Sequence, residues 1–149
     1  MSFHTENRVL PFTQQQIFEL VADVEKYPEF LPWCLACRKT KILDDGFEAD
    51  LAIGFKMVRE QFSSRIILSC PNQIEVSKLG GPFRTLSNLW QFKSTDNGNS
   101  TEINFSLEFE FHSRILQKMI GVLFEQAVHK MVAAFEARAH SLYGVSDEL

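Results

Sequence analysis

The sequence lacks the surplus of basic residues that phosphate-binding proteins usually carry. Its 149 residues include 15 Lys and Arg against 19 Asp and Glu, which gives a formal net charge of −4 at pH 7. Proteins that hold nucleic acid mainly through phosphate contacts are normally basic. We therefore expect no DNA partner, and we interpret the short basic cluster Arg38, Lys39 and Lys41 as a solvated strand face. A specific contact with a ribonucleoprotein remains open.

Long apolar runs are also lacking. No segment approaches the roughly 20 apolar residues that a membrane-spanning helix needs, and the N-terminus has neither a secretory apolar segment nor an Arg/Ser-rich transit segment. Cysteine is scarce, with three residues, an odd number that suits a reducing compartment. These absences predict a cytoplasmic protein, and peripheral contact with the inner face of the membrane is left open.

Motifs for catalysis and metal binding are lacking too. Cys34 and Cys37 have the spacing of a redox pair, but their segment leads into a strand, where residues three apart point to opposite faces. This position also lacks the helix N-terminus that activates such a thiol. The histidines are too scattered to complete a zinc site with these cysteines. We therefore expect no enzymatic activity, no metal and no required cofactor.

Phenylalanine, by contrast, is abundant. It occurs 14 times beside two Trp and two Tyr, and hydrophobic residues make up 45% of the chain. A Phe side chain buries a large apolar area and brings no polar atom with it. This set therefore suits either a thick core or the wall of a cavity for an apolar ligand.

Two segments have the periodicity of an amphipathic helix. In the first, Thr13 and Gln16 have the spacing of a capping box, and the helix that they begin is expected to end before Pro28. The second helix is expected to run from a cap at Ser113 to about Tyr143, which makes it about 45 Å long. Its predicted apolar stripe consists of Leu116, Met119, Ile120, Leu123, Ala127, Met131, Phe135 and Leu142.

Strand patterns separated by turn signals fill the chain between these helices. The clearest strand, Thr101–Phe111, alternates apolar and polar residues. The run Phe55–Cys70 changes phase, which predicts a bulge near Arg59 and Glu60. One sheet with helices gathered on one face is an α+β arrangement. We expect a curved antiparallel sheet of about six to seven strands around the long C-terminal helix, with an apolar cavity between them. This single domain is expected to cover residues 1–144, followed by a disordered tail over residues 145–149.

An irregular apolar segment separates the first helix from the strands. It reads Lys-Tyr-Pro-Glu-Phe-Leu-Pro-Trp over residues 26–33, and its two prolines forbid a long helix. A segment this apolar either plugs the open end of the core or forms the edge of a pocket. We call the side chains Tyr27, Phe30, Leu31 and Trp33 the lip.

The lip lies within a run that resembles a known family. Residues Leu20–Cys34 resemble the N-terminal hallmark of the coenzyme Q-binding START-domain family, which is part of the polyketide cyclase/START-like superfamily. Later segments agree with this family in order and spacing, and the resemblance covers about residues 7–144. These segments are Ile53–Phe55, Glu60–Arg65, Gly81–Phe83, Trp90, Phe92 and Phe135–Arg138.

The resemblance implies a START-like helix-grip fold that binds ubiquinone or a related polyprenyl lipid. It implies a lipid chaperone that supports respiratory electron transport and quinone biosynthesis. Bacterial members of the same family include ribosome association toxins, which implies the alternative of a protein that binds the large ribosomal subunit and blocks subunit association. A small cyclase or dehydratase is the third alternative, with Arg59, Glu60 and Arg84 as its candidate titratable groups.

The candidate ligand-binding residues combine the lip with positions expected to face the cavity. Quinone carbonyls accept hydrogen bonds, so donors such as Arg59, Ser64, Arg84 or Asn88 are wanted near the head group. Methionines are expected as flexible wall residues. The predicted binding set is Tyr27, Phe30, Leu31, Trp33, Phe55, Met57, Phe62, Arg84, Leu86, Trp90, Met119, Leu123 and Met131.

Overall fold

The protein contains one sheet of seven antiparallel strands and two α-helices. A computed structural model describes residues 2–55 and 57–144, without the side chains of Phe55 and Val122. The tail predicted over residues 145–149 lies outside the described residues. The sheet order is β1-β7-β6-β5-β4-β3-β2, and the α+β fold class is confirmed. The elements are β1 Ser2–Leu10, α1 Gln14–Ala22, β2 Cys34–Leu43, β3 Gly46–Phe55, β4 Val58–Ser69, β5 Gln73–Gly80, β6 Phe83–Thr95, β7 Ser100–Phe111 and α2 Arg114–Tyr143.

Helix α1 begins with the predicted capping box. The Thr13 side chain accepts a hydrogen bond from the Gln16 backbone N–H at 3.1 Å, and the Gln16 side chain accepts one from the Thr13 N–H at 3.0 Å. The helix ends at Ala22, and a short 3₁₀ segment, Val24–Glu29, follows it. Proline cannot continue an α-helix without the loss of a backbone bond, so the chain reaches Pro28 in this tighter form.

Helix α2 has the predicted start and end. The Ser113 side chain accepts from the Leu116 N–H at 3.1 Å, and the helix continues for 30 residues. It packs against α1, β1 and β7. Its fully buried seam is Phe124, Val128, Val132, Phe135 and Ala139.

Phe135 belongs to both sets, but the rest of the predicted stripe on α2 is rotated from the buried seam. Met119 and Leu142 were expected inside, but their side chains are 47% and 50% exposed. Several other stripe residues are half-buried because they face a cavity rather than the packed seam. These cavity-facing residues are Ile120, Leu123, Ala127 and Met131.

The predicted bulge near Arg59 and Glu60 is wrong. Phe55 pairs with Val58, so a tight turn joins β3 to β4 at the position where the apolar phase changes. A turn reverses the chain and restarts the alternation on a new strand, which produces the same sequence pattern as a bulge. Register shifts do occur elsewhere, between Cys34 and Ala36 in β2 and between Phe83 and Thr85 in β6.

The clearest predicted strand is confirmed with nearly the predicted bounds. In β7 the side chains of Ile103, Phe105, Phe109 and Phe111 are buried. Thr101 is also fully buried, and its hydroxyl donates to the Phe12 carbonyl at 2.8 Å. This bond ties the start of β7 to the entry of α1. Across residues 2–55 and 57–144, no helix is both long and apolar enough to cross a membrane.

Candidate functional site

A cavity of about 250 Å³ lies between the sheet and α2. Side chains from six strands, β2 to β7, form most of its wall, and α1, the lip and α2 complete it. The wall is almost entirely apolar, and Ser64 and Asn88 are its polar exceptions along with Tyr27. A cavity of this kind retains an apolar molecule by removing its surface from water.

Eight of the thirteen predicted binding residues line this cavity. They come from the lip, from β4 and β6, and from the cavity side of α2. The eight are Tyr27, Leu31, Trp33, Phe62, Leu86, Trp90, Leu123 and Met131. Their contact with a ligand stays a prediction.

The other predicted residues whose side chains the structure describes lie outside the cavity wall. Met57, on the turn after β3, is 90% exposed, and Met119 projects from the outer side of α2. Arg84 also points outward, because the register shift between Phe83 and Thr85 gives the buried position to Phe83. The Arg84 guanidinium lies 4.0 Å from the Glu110 carboxylate. The side chain of Phe55 is outside the described part of the chain.

Phe30 belongs to the lip but packs on α2 instead of the cavity. Its ring meets the rings of Tyr27 and Phe135 edge-on, with centroids 6.0 and 5.2 Å apart. The Arg138 guanidinium lies over the Phe30 ring at 5.1 Å and donates to the Glu29 carboxylate at 2.7 Å. The two alternatives for the lip therefore both hold in part, because Phe30 closes the core while its neighbours form cavity wall.

Tyr27 is fixed by a hydrogen bond at the inner side of the lip. Its hydroxyl donates to the Val21 carbonyl of α1. Burial raises the pKa of Tyr27, so the phenol stays neutral and keeps this donor at physiological pH. The bond aligns the Tyr27 ring with the cavity wall and with Phe135 on α2, at a centroid distance of 5.3 Å.

Two of the four predicted donors reach the cavity. Ser64 is fully buried in β4, and its hydroxyl has no hydrogen-bond partner among the described residues. Asn88 lies in β6 and makes two hydrogen bonds within the protein. Arg59 is exposed, and Arg84 points outward as described.

Cys34 and Cys37 face the same side of β2, contrary to the prediction. The shift between Cys34 and Ala36 places Cys34 opposite Ile53 and Cys37 opposite Leu51, and both of these β3 residues line the cavity. Burial raises the pKa of Cys34 to about 11 and the pKa of Cys37 to about 12. A redox pair needs the opposite shift.

Much of the wall was not singled out from the sequence. Alternation along the chain of β3 and β7 predicts inward-facing apolar residues without separating core from cavity, and those that line the cavity are Leu51, Ile53, Phe105, Leu107, Phe109 and Phe111. Ile74 and Val76 of β5 also line it. Ligand-facing and core-facing positions have the same chemistry here, so periodicity alone does not separate them.

The fold and its cavity define a helix-grip protein with an apolar cavity between sheet and helix. Residues 10–136 match the family model described as polyketide cyclase / dehydrase and lipid transport. The chain therefore belongs to this family, and the recognition of the START-like class is confirmed.

Individual relatives carry different names. The chain is 35% identical over 145 residues to the "Ribosome association toxin RatA" of Pseudomonas aeruginosa, which covers 97% of this chain and 100% of that protein. It is 32% identical over 144 residues to the "Coenzyme Q-binding protein COQ10 homolog B, mitochondrial" of Xenopus laevis, covering 95% of this chain and 59% of the relative. An 18 kDa Caulobacter crescentus protein solved in solution is 39% identical, with a TM-score of 0.78 and coverage of 97% and 100%.

Proposed function

We propose that this protein binds ubiquinone or a related polyprenyl lipid in the cavity and acts as a lipid chaperone for respiration or quinone biosynthesis. The observation that carries the proposal is the apolar cavity between the sheet and α2. Burial of a lipid tail contributes about 0.8 kcal/mol per CH₂ group. A carrier of this kind would work in the cytoplasm, against the inner face of the membrane that holds the lipid.

The size of the cavity limits how much of such a lipid it can enclose. Its volume of about 250 Å³ is just below the range of ligand pockets, which span roughly 300–1,000 Å³. The head group and the first part of a tail suit this space, and a longer tail would extend past the lip.

The ionisable groups of the wall support binding rather than catalysis. Among the described lining residues, none is Asp, Glu, His, Lys or Arg. Burial raises the pKa of both Tyr27 and Cys34, which holds them neutral at physiological pH. An acid–base enzyme needs groups that titrate near the operating pH, and the predicted catalytic candidates Arg59, Glu60 and Arg84 are not among the lining residues.

Gentle purification from a quinone-producing host tests the proposal. Native mass spectrometry and solvent extraction should find a ubiquinone at a near-stoichiometric level. A protein that is empty, and stays empty after incubation with quinone-containing vesicles, would count against quinone binding and favour the second candidate below.

A charged residue in the cavity wall provides a sharper test. We expect Trp33→Glu to abolish quinone retention, because a buried carboxylate opposes an apolar ligand. Met57→Glu is the matched control, since Met57 is 90% exposed outside the cavity and should retain quinone at the wild-type level. Equal retention by both variants would remove Trp33 from the binding site.

The second candidate function is association with the large ribosomal subunit. The 35% identity to a ribosome association toxin over 97% of the chain favours it. A surface depression at the start of α2 adds a basic patch suited to RNA phosphates, lined by Arg84, Glu110, Phe111, His112, Arg114, Gln117 and Lys118.

Sedimentation of a cell lysate tests this candidate. We expect the wild-type protein to co-migrate with the large subunit. Loss of co-migration in Lys118→Glu, together with its retention in Lys41→Glu on strand β2, would support the basic patch as the contact. Absence of the protein from the ribosomal fractions would exclude the function. Either result is independent of quinone retention.

A further inference from the structure

Asn88 is a polar side chain set in an apolar stretch of the cavity wall. It lies in β6, opposite Val76 of β5 on one side and Leu107 of β7 on the other. All three residues line the cavity. A single amide between two aliphatic neighbours is the kind of isolated polar group that orients a ligand in an otherwise apolar pocket.

The protein fixes which way this amide points. The indole Nε1 of Trp90 donates to the Asn88 Oδ1 at 3.0 Å, and the Asn88 Nδ2 donates to the Ser106 carbonyl at 2.8 Å. An indole N–H can only donate and a backbone carbonyl can only accept. A flipped amide would place nitrogen against the indole N–H and oxygen against the carbonyl, so the partners allow only one orientation.

This orientation leaves one donor of the amide unused. The Asn88 amide group carries two N–H bonds, and only the Ser106 carbonyl accepts from it in the described part of the chain. Since the side chain lines the cavity, the remaining N–H is available to an occupant. The hydrogen bonds to Trp90 and Ser106 hold that donor in place before any ligand arrives, which reduces the ordering cost of binding.

We propose that Asn88 determines the ligand specificity of the cavity by donating this N–H to an acceptor oxygen on an otherwise apolar molecule. The inference rests on the proposed binding function and specifies its chemistry. A quinone carbonyl or ring ether offers such an oxygen, whereas a pure hydrocarbon does not. The hydroxyl of Ser64 is the competing polar group, and it lies on β4, two strands away from Asn88.

Paired probes separate the contribution of Asn88 from that of the apolar wall. Decylbenzoquinone and decylbenzene have the same tail and similar rings, and only the first has carbonyl oxygens. Each is titrated as a competitor of a fluorescent apolar dye bound to the purified full-length protein. We expect Asn88→Leu to weaken the quinone by about tenfold and to leave decylbenzene within about twofold of wild type.

Two further variants keep the test decisive. Asn88→Ala removes the donor and leaves room for water at the Trp90 N–H, so it should reproduce the selective loss if Asn88→Leu folds poorly. Ser64→Ala removes the competing hydroxyl from the cavity wall, and it should weaken the quinone less than the Asn88 variants do. Thermal melting and decylbenzene binding report that each variant is folded.

The contrary outcomes are distinct. A quinone loss in Ser64→Ala but not in the Asn88 variants would assign the polar contact to Ser64 and overturn the inference. Equal loss of both probes in the Asn88 variants would make Asn88 a structural residue only, which also overturns it. If the wild-type protein binds neither probe, the proposed function fails and the inference fails with it.

Discussion

Burial controls the ionisation of the two thiols nearest the cavity. It raises the pKa of Cys34 to about 11 and, together with the nearby acidic groups, the pKa of Cys37 to about 12. Cys70, by contrast, is exposed at the end of β4. The reactive form of a cysteine is the thiolate, so the three cysteines should behave as one accessible and two protected groups.

Alkylation of the native protein distinguishes these groups. With iodoacetamide at about pH 8, Cys70 should be labelled first, and Cys34 and Cys37 should react only after denaturant is added. Peptide mass spectrometry at several times measures the three rates. Labelling of Cys34 at the rate of Cys70 would contradict the burial of this thiol in the cavity wall.

The same pKa values predict weakening of the fold at alkaline pH. Because the pKa of the thiol is higher in the folded protein, the thiol ionises first in the unfolded chain. The stabilisation that the neutral Cys34 thiol contributes is therefore complete below about pH 9. It is lost as the pH rises toward about 11. The free energy of unfolding, measured with urea, should therefore fall over this window. A Cys34→Ala, Cys37→Ala double variant should show a smaller fall, and an equal fall would assign the effect to other groups such as Tyr27.

At the scale of elements, Gly81 shapes the turn between β5 and β6. Its φ angle is +127°, in the region that favours glycine, and a Cβ there would lie 2.5 Å from the Phe62 Cβ and 2.9 Å from the Phe62 Cα. Phe62 lines the cavity. The absence of a side chain thus lets this turn close directly against the cavity wall.

Two neighbouring glycines provide a matched test of this turn. We expect Gly81→Ala to lower the free energy of unfolding by about 2–3 kcal/mol, because it combines backbone strain with a backbone clash. Gly80→Ala is the control, since a Cβ at Gly80 meets nothing within 4 Å and should change stability little. Chemical denaturation measures both, and equal effects would contradict the turn geometry.

The lip contacts α2 through Arg138 as well as through ring packing on Phe135. Arg138 bonds the Glu29 carboxylate and covers the Phe30 ring, and the hydrogen bond from Arg138 lowers the pKa of Glu29. The lip otherwise has few backbone bonds to the sheet, such as the Gly54 N–H to the Trp33 carbonyl at 2.9 Å. Its opening should therefore depend on Arg138.

Hydrogen exchange can measure this dependence. Arg138→Ala should accelerate amide exchange in residues 24–33 while leaving β6 and β7 unchanged, because local opening exposes only the lip. Arg65→Ala, which removes an exposed ion pair with Glu48 in the sheet, is the control and should leave residues 24–33 unaffected. Unchanged exchange in Arg138→Ala would show that ring packing alone closes the lip.

The sequence predicts elements well where their signals are local. The Thr13–Gln16 capping box, the Ser113 cap and the alternation of β7 are each contained in a short run of chain. Register shifts set by the partner strand instead determine two other features. One is the outward orientation of Arg84, and the other is the common face of Cys34 and Cys37. No short run contains that information, and for this reason the candidate site was predicted only in part.

At the scale of the whole molecule, a charged network joins β1 to α2. The Glu6 carboxylate accepts from His4 at 3.1 Å, from His129 at 3.2 Å and from Arg8 at 3.1 Å, and Arg8 also pairs with Glu136. Burial works against ionisation of Glu6, but these bonds outweigh it and lower the pKa of Glu6. The network holds β1 to α2.

Removal of the central charge should weaken the whole fold in a pH-dependent way. Glu6→Gln should lower the free energy of unfolding by about 2 kcal/mol at neutral pH. The pKa of Glu6 is lowered from the ordinary 4.5, so the stabilisation that the ionised carboxylate contributes is present above pH 4.5. This stabilisation is lost as the pH falls further and the carboxylate is protonated. The difference between variant and wild type should therefore shrink in acid. Glu75→Gln, on an exposed position of β5, is the control, and a pH-independent difference would contradict the network.

The pairing of β1 has a consequence for the order in which the chain folds during synthesis. Its partner β7 is roughly a hundred residues away along the chain, whereas β2 to β7 follow one another as neighbouring hairpins. Strand β1 therefore leaves the exit tunnel well before β7, the strand with which it pairs. During this interval its edge is open to mispairing, and charged residues on the face that will turn inward, Glu6 and Arg8, are a recognised safeguard for such a strand. Two charges that stabilise the finished protein, those of Glu6 and Arg8, thus also protect the unfinished one.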